Sequence, residues 1–475
     1  MSDLTFLPAV EMARLIREKQ LSPVELANAH LSRIEEFNPC LNAYVEVHPD
    51  RVLAQAREAE DSVMKDRTLG PLHGVPVSIK SSIEVAGMKC EAGTRLRKGV
   101  VASQDAPLVA RLKKAGAVIL GMTNTPELLM AWETDNALYG RTSNPWNVAY
   151  TAGGSSGGES AAIASGMSAG GVGSDGGGSI RVPAHFTGIC GLKPTPGRIP
   201  ATGHFPPSGG PFAFMGVVGP MARTVADLKV LFEIMQGVDD QDTCAAPVPV
   251  RWPKEDAFKG LRIGYFEDDG RTPVTQEIRL AVRKAAEHLR HAGFSVEPFR
   301  PEGLDEAREI WKKFFVKIGG MMINPMFDRH EDDISPTLRQ FLEWSAAEPQ
   351  LTANSLLDAW FRRDQLRAHF FRQMRDYPIL LCPAAAIPAF RHGERSWLVD
   401  GKDVQYLDAW SYTEWFNLLG NPAAVVPMSH SSEGLPVGVQ LVGRPWEEEQ
   451  VLSVASALEK EGGEWKRPLD FQREI

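Results

Sequence analysis

The amino-acid sequence predicts an α/β fold. Short apolar runs typical of buried strands alternate along the chain with amphipathic stretches typical of helices. The 475 residues are 43% hydrophobic and 23% charged, which is enough apolar material for a large core. Because no linker-like or repeated segment interrupts this pattern, we predict a single large domain over residues 1–475.

Residues 1–65 are predicted to form an N-terminal helical layer. Ser22 begins a capping box that has proline at the first helical position and Glu25 at the third. Apolar side chains then follow from Val24 to Ile34 at the spacing of one helix face.

The core of the sheet is predicted within residues 66–250. Val75, Val77 and Ile79 alternate with Ser78 and Lys80, so a strand there places the serine and the lysine on the face opposite the three apolar residues. The next expected elements are a helix capped by Asp105 and ending near Gly116, a buried strand over Ala117–Leu120 and a helix that begins at Thr224.

The rest of the chain is predicted to leave the sheet and return to it. Residues 302–377 are rich in Trp, Phe and Met with little strand pattern, so we expect a helical excursion there, and residues 378–475 return to the sheet. The expected elements are strands over Leu261–Tyr265, Phe294–Val296, Ile379–Cys382, Ala423–Val426 and Val437–Val442, and helices over 275–291 and 446–461.

Charge and cysteine usage exclude several classes of partner and site. A net charge of −9 without a basic block makes the chain a poor candidate for binding nucleic acid or an anionic membrane. The five cysteines include no CxxC pair, which argues against a disulfide framework and a zinc site. The N-terminus is charged where a signal peptide is apolar, and no run reaches the ~18 apolar residues of a membrane span. We expect a soluble, cytoplasmic protein without a metal.

Residues 151–220 have a different composition. Nineteen of the 43 glycines lie there, and no acid occurs between Asp175 and Asp227. Because glycine is entropically costly in a fold, this density indicates unusual backbone conformations or a close approach to the backbone. Tight packing of a helix on a sheet would explain one pair of glycines, but it explains poorly why nineteen glycines lie within seventy residues.

Two familiar motifs in this region fit only in part. Gly171–Gly176 matches G-x-G-x-x-G, but it lacks the acid about 20 residues later that a dinucleotide site needs. Ser155 lies in a G-x-S-x-G pattern, which would make an esterase nucleophile elbow if a strand preceded it and His330 or His430 served as the base. Neither histidine has a recognisable context, and this esterase interpretation remains an alternative.

Three segments together carry a more specific signal. They are Gly74–Lys80 (GVPVSIK), Gly153–Glu159 (GGSSGGE) and Gly173–Arg181 (GSDGGGSIR). In this order and spacing they resemble the amidase signature family, and the resemblance extends to NPW at 144–146, GLKPT at 191–195 and GLPVGVQ at 434–440. It implies a mixed central sheet covered by helices on both faces, makes residues 66–250 the catalytic core and calls for no cofactor.

The resemblance also implies a role for each matching residue. Ser179 is the expected nucleophile, Lys80 the base, and Ser155, held on a cis peptide, the serine that bridges them. The expected supporting side chains are Ser156, Asp175 and Arg181. The oxyanion hole is expected from the backbone amides of Gly176, Gly177, Gly178 and Ser179.

These residue types suit acyl transfer to water. A serine hydroxyl is a weak nucleophile until a base takes its proton. Lysine serves as that base only when neutral, so its pKa must fall by roughly 3 units from ~10.4, which burial can achieve. No acid occurs between His73 and Ile83, so we expect Lys80 to lack a carboxylate partner. Consecutive glycines can turn several N–H groups toward one oxyanion.

The substrate is less readable than the chemistry. The residues expected to bind it are Leu129, Met130, Ala131, Trp132 and Phe214, with further apolar side chains from the excursion at Trp311, Phe314, Phe315, Met321 and Met322. Together they favour an apolar or aromatic amide, anilide or carbamate, so the enzyme would be an amidase or urethanase with a small-molecule substrate. A homodimer is left open.

Two other functions remain as alternatives. The family also contains the glutaminase (A) chain of a tRNA-dependent amidotransferase, which would place this protein in a complex. A silent binding protein on the same fold would need Lys80 or Ser179 replaced, and both are present.

Overall fold

The structure, a computed structural model, describes residues 4–254, 260–463 and 465–468. Residues 1–3 of the predicted segment 1–65 lie outside the described residues. Residues 464 and 469–475 of the predicted segment 378–475 also lie outside them. The strands are β1 Tyr44–Val47, β2 Pro76–Lys80, β3 Val118–Thr123, β4 Ser143–Asn144, β5 Asn147–Thr151, β6 Gly170–Asp175, β7 Cys190–Lys193, β8 Val217–Ala222, β9 Arg262–Tyr265, β10 Ser295–Pro298, β11 Ile379–Pro383, β12 Ser396–Val399, β13 Lys402–Gln405, β14 Ala423–His430 and β15 Pro436–Val442.

Helices connect most of these strands. The α-helices are α1 Ala9–Arg17, α2 Pro23–Leu41, α3 Pro49–Met64, α4 Pro107–Lys114, α5 Gly157–Ala164, α6 Arg181–Thr187, α7 Pro211–Met215, α8 Val225–Met235, α9 Gln276–His291, α10 Leu304–Trp311, α11 Ile318–Ile323, α12 Pro336–Ala347, α13 Ala353–Gln373, α14 Ser411–Leu418 and α15 Glu448–Gly462. A π-helix covers Lys312–Lys317, and 3₁₀ turns cover Leu4–Phe6, Arg95–Arg97, Glu127–Leu129, Asn324–Phe327 and Glu331–Asp333.

One mixed sheet of eleven strands confirms the predicted α/β class. Its order is β1-β3-β2-β6-β8-β7-β14-β15-β11-β9-β10. Strands β3, β2 and β6 are parallel to one another, as are β11, β9 and β10, and the other neighbours are antiparallel. Helices α4, α8, α15 and α9 contact one another in sequence as one layer, and α5 and α6 form a separate contact on the sheet. The carboxyl ends of β2, β3 and β6 therefore meet at one edge, where binding sites of α/β sheets commonly lie.

The predicted helix start at Ser22 is confirmed. Ser22 accepts hydrogen bonds from the amides of Val24 and Glu25 at the start of α2, and its own hydroxyl donates to Glu60. Within residues 4–65 the regular elements are helices apart from β1, a four-residue edge strand that was not expected because it is short and mostly half-buried.

The predicted cap at Asp105 is wrong. Helix α4 begins at Pro107 after Ala106, and the Asp105 carboxylate instead accepts from the Ala86 amide and Lys113. The loop at Ala86 competes for this short side chain, so a sequence pattern alone could not decide its partner. At α8 the prediction is confirmed, since Thr224 Oγ1 accepts from the Asp227 amide at 3.2 Å.

The C-terminal half follows the predicted plan. The β-α-β unit is present as β9, α9 and β10, and residues 302–377 form helices without a strand. Strands β11, β14 and β15 then return to the centre of the sheet, followed by α15. Among the described residues, no helix is both long and apolar enough to cross a membrane. The single domain and its segment boundaries stay predictions.

Candidate active site

Lys80 ends strand β2 and is completely buried. Its Nζ lies 2.6 Å from Ser155 Oγ, 3.0 Å from Ser156 Oγ and 3.0 Å from Ser174 Oγ. Within the described chain its polar partners are therefore three hydroxyls, and it forms no hydrogen bond to a carboxylate. Ser156 was expected as a supporting side chain, whereas Ser174 was missed because its approach to Lys80 depends on the pairing of β6 with β2.

The surroundings of Lys80 favour its neutral form. Burial lowers the pKa of Lys80 well below its usual value, and the negative charges of Asp175 and Glu159 oppose that shift. A neutral amine at neutral pH can accept a proton, which a normal surface lysine cannot do.

Ser155 and Ser156 lie in the tight loop between β5 and α5. The Gly154–Ser155 peptide is cis, and the Ser155 carbonyl accepts from Thr125 Oγ1 at 2.8 Å. A Cβ on Gly154 would lie 2.6 Å from the Glu133 carbonyl oxygen, so only glycine allows this close approach. The Ser156 amide donates to the Ser179 carbonyl at 3.1 Å, which joins the loop to the segment that carries Ser179.

Ser179 closes the glycine segment between β6 and α6 and is 8% exposed. Asp175 organises this segment, because its carboxylate accepts from the Gly178 amide at 2.7 Å and the Ile180 amide at 3.0 Å. It also pairs with Arg181 at 2.9 Å, with both side chains fully buried. Burial would raise the pKa of Asp175, but the Arg181 guanidinium and these amides hold it below its usual value.

Side chains hold the carbonyls of the first two glycines. Trp132 Nε1 and Thr413 Oγ1 each donate to the Gly177 carbonyl at 2.9 Å, and Trp311 Nε1 donates to the Gly176 carbonyl at 3.3 Å. The amides of Gly176, Gly177 and Ser179 have no acceptor within the described part of the chain. Three N–H groups are thus available for an oxyanion, whereas the expected fourth, that of Gly178, already bonds Asp175.

A cavity of about 230 Å³ opens onto this cluster. Its walls are mostly apolar, and its polar end holds Ser155, Ser174 and Ser179. The lining residues are Leu129, Met130, Ser155, Ser174, Asp175, Gly176, Ser179, His204, Phe205, Pro206, Pro207, Ser208, Phe212, Gly216, Val217, Val218, Phe315, Gly319, Met322, Ile323 and Met326.

The structure brings only part of the expected substrate-binding set to this cavity. Leu129 and Met130 line it, but the described side chains of Ala131, Trp132 and Phe214 do not. Trp132 is buried with its ring stacked on Trp410, and Phe214 packs edge-on against Trp360.

The excursion contributes through two of its five expected residues, whereas Trp311, Phe314 and Met321 do not line the cavity. Phe315 and Met322 line the cavity, joined by Gly319, Ile323 and Met326. The loop at 204–208 was missed entirely. It lies beside the end of β2, because His204 bridges Ile83 and the Phe205 amide donates to the Ser82 carbonyl at 2.7 Å. Only the folded chain brings these distant segments together.

Neither histidine of the esterase interpretation lies at the serine cluster. His330 is an exposed residue 3.4 Å from Asp333, and His430 packs its ring on Trp146. Neither lines the cavity. Over the described residues, no group of His, Cys, Asp and Glu side chains is arranged to hold a metal ion.

Comparisons with known proteins point in one direction. The family model for amidases matches residues 25–452. An indoleacetamide hydrolase from Bradyrhizobium diazoefficiens is 34% identical over 96% of this chain and 86% of its own length, and an acylamidase from Rhodococcus erythropolis is 34% identical over 96% of both. The A-type component of a glutamyl-tRNA(Gln) amidotransferase from Methylacidiphilum infernorum is 33% identical over 97% of this chain and 95% of its own. The crystal structure of a bacterial aryl acylamidase of the amidase signature family matches with a TM-score of 0.85 and 27% identity over 97% of each chain.

Proposed function

The chain belongs to the amidase signature family and is an amidase, a hydrolase of linear amide bonds, and we propose that Ser179, Ser155 and Lys80 carry out its chemistry. One observation carries this assignment: the buried Lys80 amine lies 2.6 Å from Ser155 Oγ, in a cluster that opens onto the same cavity as Ser179.

The reaction begins with Ser179. Its Oγ attacks the amide carbon while its proton passes to Ser155, whose own proton passes to the neutral Lys80. The carbonyl oxygen becomes an oxyanion, and the amides of Gly176, Gly177 and Ser179, which have no acceptor within the described part of the chain, would stabilise it. Losing one such donor typically costs ~3 kcal/mol of transition-state stabilisation.

The proton that Lys80 has accepted is then used to release the amine. It returns from Lys80 through Ser155 to the amide nitrogen, the C–N bond breaks, and a neutral amine departs. Water next attacks the acyl-enzyme, gives one proton to Lys80 by the same path and releases the acid. That proton finally restores the Ser179 hydroxyl, so protons balance over the cycle.

The substrate we propose is an apolar or aromatic amide, anilide or carbamate. Phe212, Phe315, Ile323 and Met326 give the cavity walls that would receive an apolar acyl or amine group. A volume of about 230 Å³ suits a small aryl group better than a long folded chain.

The cavity also bears on the glutaminase alternative. Glutamine carries an α-ammonium and an α-carboxylate, and binding them in a buried site needs charged partners. Asp175 is the only carboxylate, Lys or Arg side chain among the described residues that line the cavity, and Arg181 already neutralises it. The apolar amide is therefore the function we favour, although the amidotransferase component is similar over nearly the whole chain.

The test is hydrolysis of a panel of aryl anilides, fatty amides, aryl carbamates and glutamine. We expect an apolar substrate to be cleaved and Ser179→Ala or Lys80→Ala to lower kcat/KM by about 10⁴-fold or more. Ser165→Ala is the control, because this hydroxyl bonds only carbonyls of its own helix and should leave kcat/KM within about threefold.

Two results would overturn the proposal. Cleavage of glutamine alone, and only with a partner protein, would assign the chain to the amidotransferase. Activity that survives Lys80→Ala but is lost in His330→Ala or His430→Ala would remove the lysine mechanism.

A further inference from the structure

Glu159 is a completely buried acid for which the proposed mechanism has no role. It lies in the first turn of α5, three residues after Ser156, and its carboxyl group rests on the three parallel strands β3, β2 and β6. A Cβ on Gly171 of β6 would lie 1.9 Å from Glu159 Oε1, so the sheet has room for this carboxyl group only because that residue is glycine.

The two hydroxyls that bind Glu159 flank Lys80. Ser78 Oγ lies 2.5 Å from Oε1, and Thr123 Oγ1 donates to Oε2 at 2.7 Å. Ser78 precedes Lys80 by two positions on β2, so both side chains are on one face of the strand. Thr123 is the partner of Lys80 in the pairing of β2 with β3. Glu159 therefore lies beside Lys80 without bonding it directly.

A count of hydroxyl protons indicates the protonation state of Glu159. Ser168 Oγ donates its only proton to the Gly170 carbonyl at 2.8 Å, because a carbonyl can only accept. Ser78 Oγ has a single proton but three oxygen neighbours: Glu159 Oε1, Ser168 Oγ at 2.9 Å, and the Tyr44 hydroxyl, which donates its own proton to the Met167 carbonyl at 3.1 Å. An ionised Glu159 would take that proton and leave the Ser78–Ser168 contact without one.

A protonated Glu159 supplies the proton that the Ser78–Ser168 contact lacks. The acid then donates to Ser78, Ser78 donates to Ser168, and Ser168 donates to the Gly170 carbonyl. Each oxygen pair in this chain holds one proton, and Thr123 still donates to the other carboxyl oxygen.

We propose that Glu159 is a positioning residue that works as a carboxylic acid: it keeps its proton while Lys80 is the neutral base, and its ionised form holds Lys80 in the protonated, inactive state. The inference rests on the proposed function, since it takes Lys80 to be the base. The two groups then share one proton in two arrangements, and only the arrangement with neutral Lys80 is active.

The electrostatics agree with this arrangement. Burial raises the pKa of Glu159 to about 7, against the hydrogen bonds of Ser78 and Thr123 and the positive charge of Lys80, which lower it. The other titratable groups that face the pair are Asp175, which is neutralised by Arg181, together with His204 and Tyr44. Burial lowers the pKa of His204 to about 4 and raises that of Tyr44 above its usual value, so neither changes charge near neutral pH.

The experiment measures how fast a fluorophosphonate labels Ser179 between about pH 5 and pH 9 in the intact protein. The labelling rate requires neutral Lys80 and no natural substrate. Glutamine cannot ionise, so Glu159→Gln removes the arrangement in which ionised Glu159 keeps Lys80 protonated, and the acid limb of the profile should move to lower pH by up to about 1 unit. The variant's amide can replace the acid as donor to Ser78, so the rate on the alkaline plateau should stay within about threefold.

A second variant should move the profile the other way. Ser168→Ala removes the acceptor of the Ser78 proton, which frees Ser78 to donate to an ionised Glu159. The ionised form is thereby favoured, the pKa of Lys80 rises, and the acid limb should move to higher pH by about half a unit. Asp227→Asn is the matched control, because this buried carboxylate accepts from the Val10 amide at the N-terminal helices and should leave the limb in place.

The outcomes separate this inference from the proposed function. An acid limb that does not move in Glu159→Gln, or a plateau that falls by about 100-fold, would overturn the role of Glu159 while labelling of Ser179 continues. Failure to label the wild type, or labelling that persists in Ser179→Ala, would instead overturn the proposed function.

Discussion

The two sides of the active-site cavity are built in different ways. The serine side consists of short polar side chains and glycines, and hydrogen bonds between fully buried groups fix the amine of Lys80, the loop at Ser155 and the segment at Ser179. The opposite wall consists of apolar side chains from distant helices. Met322 and Met326 there are 45% and 37% exposed.

This difference follows from what each side has to do. Proton transfer needs atoms held within hydrogen-bond reach, so one displaced group stops the reaction. Apolar contact has no direction and depends mainly on the area removed from water, so a wall tolerates exchange of its side chains. We therefore expect changes on the serine side to affect all substrates alike, and changes in the wall to affect the ranking of substrates.

The largest effect should come from Lys80→Arg. A guanidinium stays protonated at any working pH and cannot accept the proton of Ser155. We expect kcat/KM to fall by about 10⁴-fold or more for every substrate in the panel, with the fold intact by circular dichroism. Residual activity that differs among substrates would show that substrate recognition also depends on Lys80. The serine side would then not affect all substrates alike.

Asp175→Asn should act mainly on stability. The substitution leaves the Arg181 guanidinium buried without its carboxylate, which typically costs about 3–5 kcal/mol. It also weakens the acceptor of the Gly178 amide. We expect the Tm in a thermal melt to fall by several degrees, together with a lower kcat for all substrates. An unchanged Tm would mean that Asn417 and Gln440, which also bond Arg181, are sufficient.

The same contrast explains what could be predicted from the sequence. Ser155, Ser179 and Lys80 lie in the three segments that carry the family resemblance, so the resemblance implied a role for all three. Glu159 stood inside one of these motifs but was not assigned a role, because its partners Ser78, Thr123 and Gly171 come from three different strands. Ser174 was missed for the same reason.

The wall was predicted less well. Met130 was expected and lines the cavity, but the neighbouring Trp132 turns into the core to bind the Gly177 carbonyl. Phe214 and Phe212 are two residues apart in α7, and only Phe212 reaches the cavity. Which member of an apolar pair faces a cavity depends on helices packed from elsewhere in the chain, and no local pattern contains that information.

Phe212→Ala tests whether the apolar wall affects the ranking of substrates. Its ring centroid lies 5.5 Å from that of Phe315, and both rings line the cavity. We expect kcat/KM for aryl amides to fall by about 10–100-fold, because apolar contacts of this size are worth about 1–3 kcal/mol, while a small aliphatic amide changes little. An equal loss for large and small amides would show that the wall also positions the serine side.

The smallest effect should appear where the two sides meet. Trp311 belongs to the excursion, but its indole N–H donates to the Gly176 carbonyl at 3.3 Å and so orients a glycine whose amide we propose as an oxyanion donor. Trp311→Phe removes that one bond, and at about 0.5–1.5 kcal/mol we expect kcat to fall by about 3–10-fold by the same factor for large and small amides. Trp132→Phe is the matched comparison and should cost less, because the Thr413 hydroxyl, which shares its one proton between the Gly177 carbonyl at 2.9 Å and the Trp410 carbonyl at 2.8 Å, can still donate to Gly177. Steady-state kinetics on one aryl and one aliphatic amide measure both variants. If Trp311→Phe changed only the preference between the two amides, Trp311 would act as part of the wall, and the glycine amides would be oriented without it.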